Sequence, residues 1–281
     1  MCEQGGPVVQ WLWRNKDWVL DRVKEIREWL VSSRNPPDQP GSSLLIIGPG
    51  GVGKSTAARI LSGNYDPLLD MPGEYDESLK IEHYSLKDDP AVGLVVPPGQ
   101  KHRRDPTWND IESSLSAGEY HGIILVCSYG YHSLGLISYK HHHLYAGDDQ
   151  AFLRSYLDAS RAEEVNVLQR LSPHIKASDR KCWLVTLVTK QDLWWNDNQQ
   201  VERHYREGPY ADQIGEIADH KGRSNFRHEL ILGSLVIRNF VTGVGERLAE
   251  TVAGYDQQYR VSSVRRLWES LDALRQWEAG S

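Results

Sequence analysis

The sequence predicts an α/β fold of three layers, in which helices cover both faces of a mostly parallel sheet. Short apolar runs typical of buried strands occur at residues 44–47, 122–127 and 182–188. Segments with apolar side chains at helical spacing alternate with these runs, as at residues 151–171. A glycine-rich turn at residues 48–53 leads directly from the first apolar run into a helical pattern.

Composition and charge narrow the function classes. The net charge of −6, without a long basic run, argues against broad nucleic-acid binding. The three cysteines form no C-x-x-C pair, which disfavours a disulfide framework or zinc ribbon and favours a reducing compartment. Apolar runs reach only about five residues, far short of a membrane span. Because Arg14, Lys16 and Asp17 interrupt the N-terminus, we expect no signal peptide, no transmembrane segment and a cytoplasmic protein.

The chain is expected to divide into a nucleotide-binding core and flanking segments. Residues 1–34 form a Trp-rich amphipathic helix, 35–43 a Pro/Ser linker, 44–255 the core domain, and 256–281 a C-terminal helix packed on it. The apolar stripe of the first helix comprises Leu12, Val19, Val23, Ile26 and Leu30. It is expected to pack on the chain's own domain, on a partner or second copy, or on a membrane surface.

Hydrophobic periodicity and turn residues predict the remaining elements in order. We expect strands at 79–86, 91–96, 122–127, 182–188 and, on both sides of Gly233-Ser234, 227–240. We expect helices at 111–115, 151–171, 199–207, 211–219, 246–252 and 263–277, with Ser172-Pro173 ending the second of these. Residues 63–77 and the Tyr/His-rich stretch 129–149 are expected to be loops, and the latter is too long to be a mere connection.

The glycine-rich turn at residues 48–55 reads Gly-Pro-Gly-Gly-Val-Gly-Lys-Ser, which is the P-loop pattern in its strand–loop–helix context. Its glycines allow backbone N–H groups to surround phosphate oxygens, and the helix that follows directs its positive end at the same anion. Lys54 can reach the β- and γ-phosphates, and the Ser55 hydroxyl is a natural Mg²⁺ ligand. The residues expected at the phosphates are Gly50, Gly51, Val52, Gly53, Lys54, Ser55 and Thr56.

A second motif follows the apolar run at residues 182–188. Thr189-Lys190-Gln191-Asp192 resembles the [NT]-K-x-D motif of the Ras-like (TRAFAC-class) P-loop GTPases. The resemblance implies that the Asp192 carboxylate accepts two hydrogen bonds from guanine and that the Lys190 stem covers the base. It also implies that Ser234 and Leu235 stand in the place of the backbone segment that contacts the guanine oxygen. The resemblance covers roughly residues 44–255 and implies a Ras-like G domain that binds GTP or GDP with Mg²⁺.

The third motif of that family, D-x-x-G-Q, has only a partial match here. Gly99 and Gln100 stand in the places of the γ-phosphate-binding glycine and the water-orienting glutamine, but Val96 replaces the aspartate. That aspartate holds a Mg²⁺-bound water in the family, so its charge is missing here. Asp66, Asp70 or Asp88 are candidates to compensate. Ser78 is the best-placed hydroxyl for the threonine that closes on Mg²⁺ in the family.

These motifs predict a guanine-nucleotide switch that hydrolyses GTP slowly and signals to a protein partner. Lys54 and Gln100 are the expected catalytic residues, and Ser55 and Ser78 the expected metal ligands. The partner is expected at the N-terminal helix or the 129–149 loop, and a homodimer is open. Two alternatives stay open: a pseudo-GTPase scaffold without turnover, favoured by Val96, and a P-loop ATPase or kinase, which the lack of a strand-ending carboxylate disfavours.

Overall fold

A computed structural model describes residues 43–64, 78, 80–86, 89–135 and 138–279. The predicted N-terminal helix, most of the linker and most of the 63–77 loop lie outside these residues. Six of the described strands form one sheet. They are β1 (Ser43–Ile47), β2 (Glu82–Leu86), β3 (Asp89–Val96), β4 (Tyr120–Cys127), β5 (Cys182–Val188) and β6 (Phe226–Leu232).

The strand order is β2-β3-β1-β4-β5-β6. Strands β3, β1, β4, β5 and β6 run parallel, and β2 pairs antiparallel with β3. The carboxyl ends of the parallel strands therefore meet at one edge of the sheet. After β1 the chain continues towards β3 on one side of the sheet, and after β4 it continues towards β5 on the other side. The crevice between β1 and β4 is therefore the switch point, where α/β sheets bind ligands.

Seven described α-helices cover the sheet. They are α1 (Lys54–Leu61), α2 (Lys101–Ser116), α3 (Asp149–Ala177), α4 (Gln191–Trp194), α5 (Asn198–Arg206), α6 (Pro209–Lys221) and α7 (Gln257–Ala279). Successive β1 residues face opposite sides, so Leu45 packs in the core that includes Leu168 of α3, and Ile46 in the core that includes Ala57 and Trp268. The predicted α/β fold of three layers, with a mostly parallel sheet, is confirmed.

Two helices extend beyond their predicted ends. Helix α2 begins ten residues before the predicted Ile111, directly after Gln100. Helix α3 continues through Pro173 to Ala177, so the prediction that Ser172-Pro173 ends it is wrong. A proline inside a helix costs about 3 kcal/mol. Leu171 and Ile175 are fully buried on either side of Pro173, and packing at these positions offsets that local preference.

The region after β6 differs most from the sequence prediction. Strand β6 ends at Leu232, and the predicted helix at 246–252 is wrong because β7 (Phe240–Val241) pairs antiparallel with β8 (Arg247–Ala249). A tight turn closes this hairpin: Thr242 N donates to Glu246 O at 2.8 Å, and Gly245 has a φ of 84°. The backbone geometry of this turn therefore decides the local structure, and not the helical spacing of apolar side chains at residues 246–252.

Across the described ranges, the helices lack the combination of length and apolar character needed to cross a bilayer.

The C-terminal helix α7 is expected to be an integral part of the fold, since Leu267 is fully buried in the core it shares with α1 and β6. Replacing Leu267 with alanine should lower the free energy of unfolding by about 2–5 kcal/mol. Chemical denaturation measures the loss, and Glu269→Ala on the exposed side of the same helix should change stability by less than about 0.5 kcal/mol. Equal stability of the two variants would show that α7 is dispensable.

Candidate nucleotide-binding site

The P-loop connects β1 to α1 at the switch point of the sheet. Gly51 has a φ of 72°, and a Cβ built on it would lie 2.4 Å from the Ser133 backbone nitrogen. The close approach has a function in the fold, because Ser133 N and Ser133 Oγ both donate to the Gly51 carbonyl at 3.1 Å. The loop after β4 is thereby held against the P-loop, and a side chain at Gly51 would separate them.

Lys54 and the turn after β3 lie on the other side of the P-loop. The Lys54 ammonium donates to the Pro49 carbonyl at 2.8 Å, and a Cβ built on Gly99 would lie 2.2 Å from that ammonium. A Cβ on Gly50 would lie 3.3 Å from Gln100 Cγ, which places Gln100 directly against the P-loop. The structure thus brings Gly50, Lys54, Gly99 and Gln100 together.

Thr189 and Lys190, which follow β5, also bind the P-loop. Thr189 Oγ1 donates to the Val52 carbonyl at 2.7 Å. Lys190 Nζ donates to the Gly51 carbonyl at 2.8 Å, to the Tyr131 carbonyl at 2.5 Å and to Ser133 Oγ at 3.1 Å. Burial lowers the pKa of Lys190 to about 7, and the nearby Asp192 charge acts against this. Three loops at the carboxyl edge are therefore joined through one side chain.

Asp192 lies in the first turn of α4 and is almost fully buried. Ser234 Oγ donates to its Oδ1 at 2.5 Å, while Arg238 N and Thr251 Oγ1 donate to its Oδ2 at 3.0 and 3.5 Å. Burial raises the pKa of the Asp192 carboxyl, and the hydrogen bonds from Ser234 and Arg238 oppose that effect. Leu235 follows Ser234 and is buried beside it.

The hydrogen bonds that this carboxylate already accepts limit the further donors it can bind. A carboxylate offers about four acceptor positions, and three are engaged by Ser234, Arg238 and Thr251 among the described residues. A purine edge with two donors therefore needs at least one of these internal hydrogen bonds to open. The bond from Thr251 is the longest of the three at 3.5 Å.

An oxygen-rich cluster lies at the start of α1. Ser55 Oγ is 3.5 Å from Ser78 Oγ, so the two predicted metal ligands are adjacent. Sequence reasoning missed Glu82, whose Oε1 accepts hydrogen bonds from Ser55 at 3.2 Å and from Ser78. Burial acts to raise the pKa of Glu82, but hydrogen bonds from Ser78, Tyr84 and Ser55 outweigh it, and the pKa lies below its ordinary value. Carboxylate and hydroxyl oxygens are ligand atoms that suit Mg²⁺.

Glu164 is a second residue that sequence reasoning missed. It is fully buried on α3, and its Oε1 accepts from Ser128 N at 2.8 Å and lies 3.0 Å from His132 Nε2. Its Oε2 accepts from Tyr205 OH at 2.5 Å. Burial acts to raise the pKa of Glu164, but hydrogen bonds from His132, Tyr205 and Ser128 hold the pKa below its ordinary value. Glu164 thereby fixes the loop after β4 that contacts Gly51.

The other predicted positions have simpler surroundings. Gly53 precedes α1 with a φ of 99°, and Thr56 lies half-buried in the first turn of that helix. Val96 is fully buried in the apolar core that contains Ala57, so the third motif contributes no charge from β3. The start of the 129–149 loop belongs to the site through Tyr131 and Ser133, while its later part packs on the β7–β8 hairpin through Ser138 Oγ, which donates to Glu246 at 2.7 Å.

Comparison with known proteins finds only distant structural similarity. No family model and no curated protein matches the chain. Among solved structures, the chain is similar to Toc33 from Arabidopsis thaliana in complex with Mg²⁺ and GMPPNP, with 10% identity and a TM-score of 0.47 over 94% of this chain and 93% of that one. It is also similar to the mammalian SRP receptor, with 15% identity and a TM-score of 0.37 over 83% of this chain and 99% of that one. Both TM-scores lie below 0.5, and neither likeness assigns a ligand or an activity.

The Glu164 network gives a pH prediction. A folded-state pKa below the ordinary 4.5 means that ionised Glu164 stabilises the fold at neutral pH and that this contribution is lost as the pH falls from 4.5 through the folded-state value. Glu164→Gln should therefore cost about 1–3 kcal/mol at pH 7, because the amide keeps only one acceptor oxygen and either Ser128 N or Tyr205 OH loses its acceptor. The difference from wild type should shrink below pH 4.5.

Denaturant melts between pH 3.5 and 7 measure this difference. Glu207→Gln, at an exposed position after α5, is the matched control and should change stability by less than about 0.5 kcal/mol at pH 7. A stability difference for Glu164→Gln that stays constant across the range would contradict an ionised, hydrogen-bonded Glu164.

Proposed function

We propose that this protein is a guanine-nucleotide-binding P-loop protein that hydrolyses GTP slowly. The observation that carries the proposal is the hydrogen-bonded junction between the P-loop and the Thr189–Asp192 segment. Thr189 and Lys190 donate to the carbonyls of Val52 and Gly51 at 2.7 and 2.8 Å. This junction supports the proposal, because it holds the glycine-rich loop and Asp192 at one edge of the sheet, as the binding of a single nucleotide would require.

The phosphate end is supplied by the P-loop and α1. Backbone N–H groups of the glycine-rich loop and the first turn of α1 present positive ends to an anion. The Lys54 ammonium donates to Pro49 O, within its own loop, and has a phosphate oxygen as the natural alternative acceptor. Ser55 and Ser78 offer hydroxyl oxygens to Mg²⁺ beside the Glu82 carboxylate, and the ion would neutralise phosphate charge when bound.

The base end is supplied by Asp192. Its carboxylate would accept from the N1 and N2 hydrogens of guanine, a donor pair that adenine lacks. Because Ser234, Arg238 and Thr251 already donate to it, guanine binding is expected to displace the Arg238 or Thr251 hydrogen bond. The segment between β6 and α7 would then move as the base enters.

Hydrolysis would depend on Gln100, which lies against Gly50 and would orient the attacking water. Without an arginine from a partner, turnover of such a site is expected at about 10⁻⁴ to 10⁻² per second. A change in residues 63–78 and 97–100 between the GTP and GDP states would make the protein a switch, with a protein partner reading its state at the predicted N-terminal helix or the 129–149 loop.

Lys54→Ala tests the enzymatic part of the proposal. Removal of the ammonium leaves the developing phosphate charge without its nearest cation, so single-turnover phosphate release from GTP should fall by about 100-fold or more. Equal release from wild type and Lys54→Ala would show that the activity belongs to a contaminant or another site.

A second candidate is a pseudo-GTPase scaffold that binds guanine nucleotide without turnover. The observation that favours it is Val96, which is fully buried among apolar side chains where the related motif has a carboxylate. Tight GTP binding by wild type, with no phosphate release after prolonged incubation, would select the scaffold over the GTPase.

Asp192→Asn tests the base end. An amide in place of the carboxylate can accept from one guanine hydrogen but opposes the other, so GDP affinity should fall by about 10- to 100-fold, as for an unpaired buried donor. Xanthosine diphosphate, which presents an oxygen at that position, should bind Asp192→Asn better than it binds wild type. Fluorescence competition measures both affinities, with a thermal melt to check that the variant is folded. Unchanged preference would remove Asp192 from base recognition.

A further inference from the structure

The carboxylate that is missing at position 96, the end of β3, has a counterpart on the adjacent strand. In the antiparallel pairing of β2 with β3, Glu82 is the register partner of Val96. Directly opposite residues of an antiparallel pair extend their side chains on the same face of the sheet. Val96 packs in the core that contains Ala57 and Ala58 of α1, so Glu82 lies on the α1 face as well.

The contacts of Glu82 confirm this placement. Its Oε1 accepts from Ser55 Oγ at 3.2 Å and also from Ser78 Oγ, while its Oε2 accepts from Tyr84 OH at 2.5 Å. Ser55 follows the P-loop lysine, and Ser78 precedes β2. Both hydroxyls that sequence reasoning assigned to the metal therefore share one carboxylate oxygen.

The direction of these hydrogen bonds matters for cation binding. A hydroxyl has one proton and two lone pairs, so a serine that donates its proton to Glu82 keeps its lone pairs for a cation. A nearby carboxylate also raises the basicity of such a ligand and fixes its orientation. The negative charge then offsets part of the cation's charge, which Val96 cannot do.

We propose that Glu82 is the cation-site carboxylate of this protein and that it replaces, from β2, the aspartate for which Val96 stands in β3. The proposal rests on the proposed nucleotide function, since the cation is the divalent ion that accompanies the phosphates. Glu82 acts as a positioning residue: it holds the Ser55 and Ser78 hydroxyls and supplies the compensating charge. The competing interpretation is that Glu82 only ties β2 to α1.

Glu82→Gln separates the two interpretations because glutamine keeps the size of the side chain and removes its charge. Wild type and variant are loaded with fluorescent GDP, and nucleotide release is followed while Mg²⁺ is titrated. The Mg²⁺ concentration that gives half-maximal retention should rise by about 10- to 100-fold, the usual effect of losing an outer carboxylate. Release in EDTA, where no cation is bound, should be the same for both proteins.

Two further variants guard the interpretation. Glu82→Asp keeps the charge and should retain most of the Mg²⁺ dependence. It therefore tests the role of the charge even where Glu82→Gln proves less stable in a thermal melt. Tyr84→Phe removes the hydrogen bond to Oε2 and leaves the carboxylate, so its Mg²⁺ titration should stay close to that of wild type.

The outcomes are distinguishable. A Glu82→Gln titration that superimposes on wild type, or equal shifts in Glu82→Gln and Glu82→Asp, would overturn the proposal while leaving guanine-nucleotide binding intact. Wild-type protein that retains no guanine nucleotide at any Mg²⁺ concentration would overturn the proposed function, and with it the ligand that this cation site serves.

Discussion

The ammonium group of Lys190 holds together the edge of the sheet on which the rest of the site is built. The side chain is half-buried, and Gly51 O, Tyr131 O and Ser133 Oγ accept the three hydrogen bonds that its ammonium can donate. These acceptors belong to the loops after β1 and β4, while Lys190 itself follows β5. A single side chain thus fixes the relative positions of three loops that contribute to one crevice.

Two carboxylates support this arrangement from opposite sides. Glu164 accepts hydrogen bonds from Ser128 and Gly130 of the loop after β4, and from Tyr205 of α5, and so holds that loop in place. Glu82 accepts hydrogen bonds from the Ser55 and Ser78 hydroxyls at the start of α1. Asp192 differs from these two residues, because its carboxylate accepts hydrogen bonds from Ser234 and Arg238 in the segment after β6. In the proposed nucleotide site, the oxygen cluster around Glu82 is therefore already assembled, whereas Asp192 has internal hydrogen bonds to exchange.

The sequence allows the α/β fold and the P-loop to be predicted because both depend on local patterns: apolar strand runs, glycines at fixed spacing and the Lys54-Ser55 pair. It does not reveal Glu82 or Glu164, since each has a partner far along the chain: Ser55 is 27 positions from Glu82, and Ser128 is 36 positions from Glu164. Pro173 and residues 246–252 were predicted wrongly because core packing and a hairpin turn outweigh local propensity there.

The central claim is that one edge of the sheet reads a guanine nucleotide, with the P-loop on the phosphates and Asp192 on the base. Calorimetric titration of the purified, nucleotide-free chain with GDP and with ADP, both in excess Mg²⁺, tests it most directly. Because adenine offers no donor pair to Asp192, GDP should bind at least about 100-fold more tightly than ADP. Equal or tighter binding of ADP, or binding of neither nucleotide, would contradict the account.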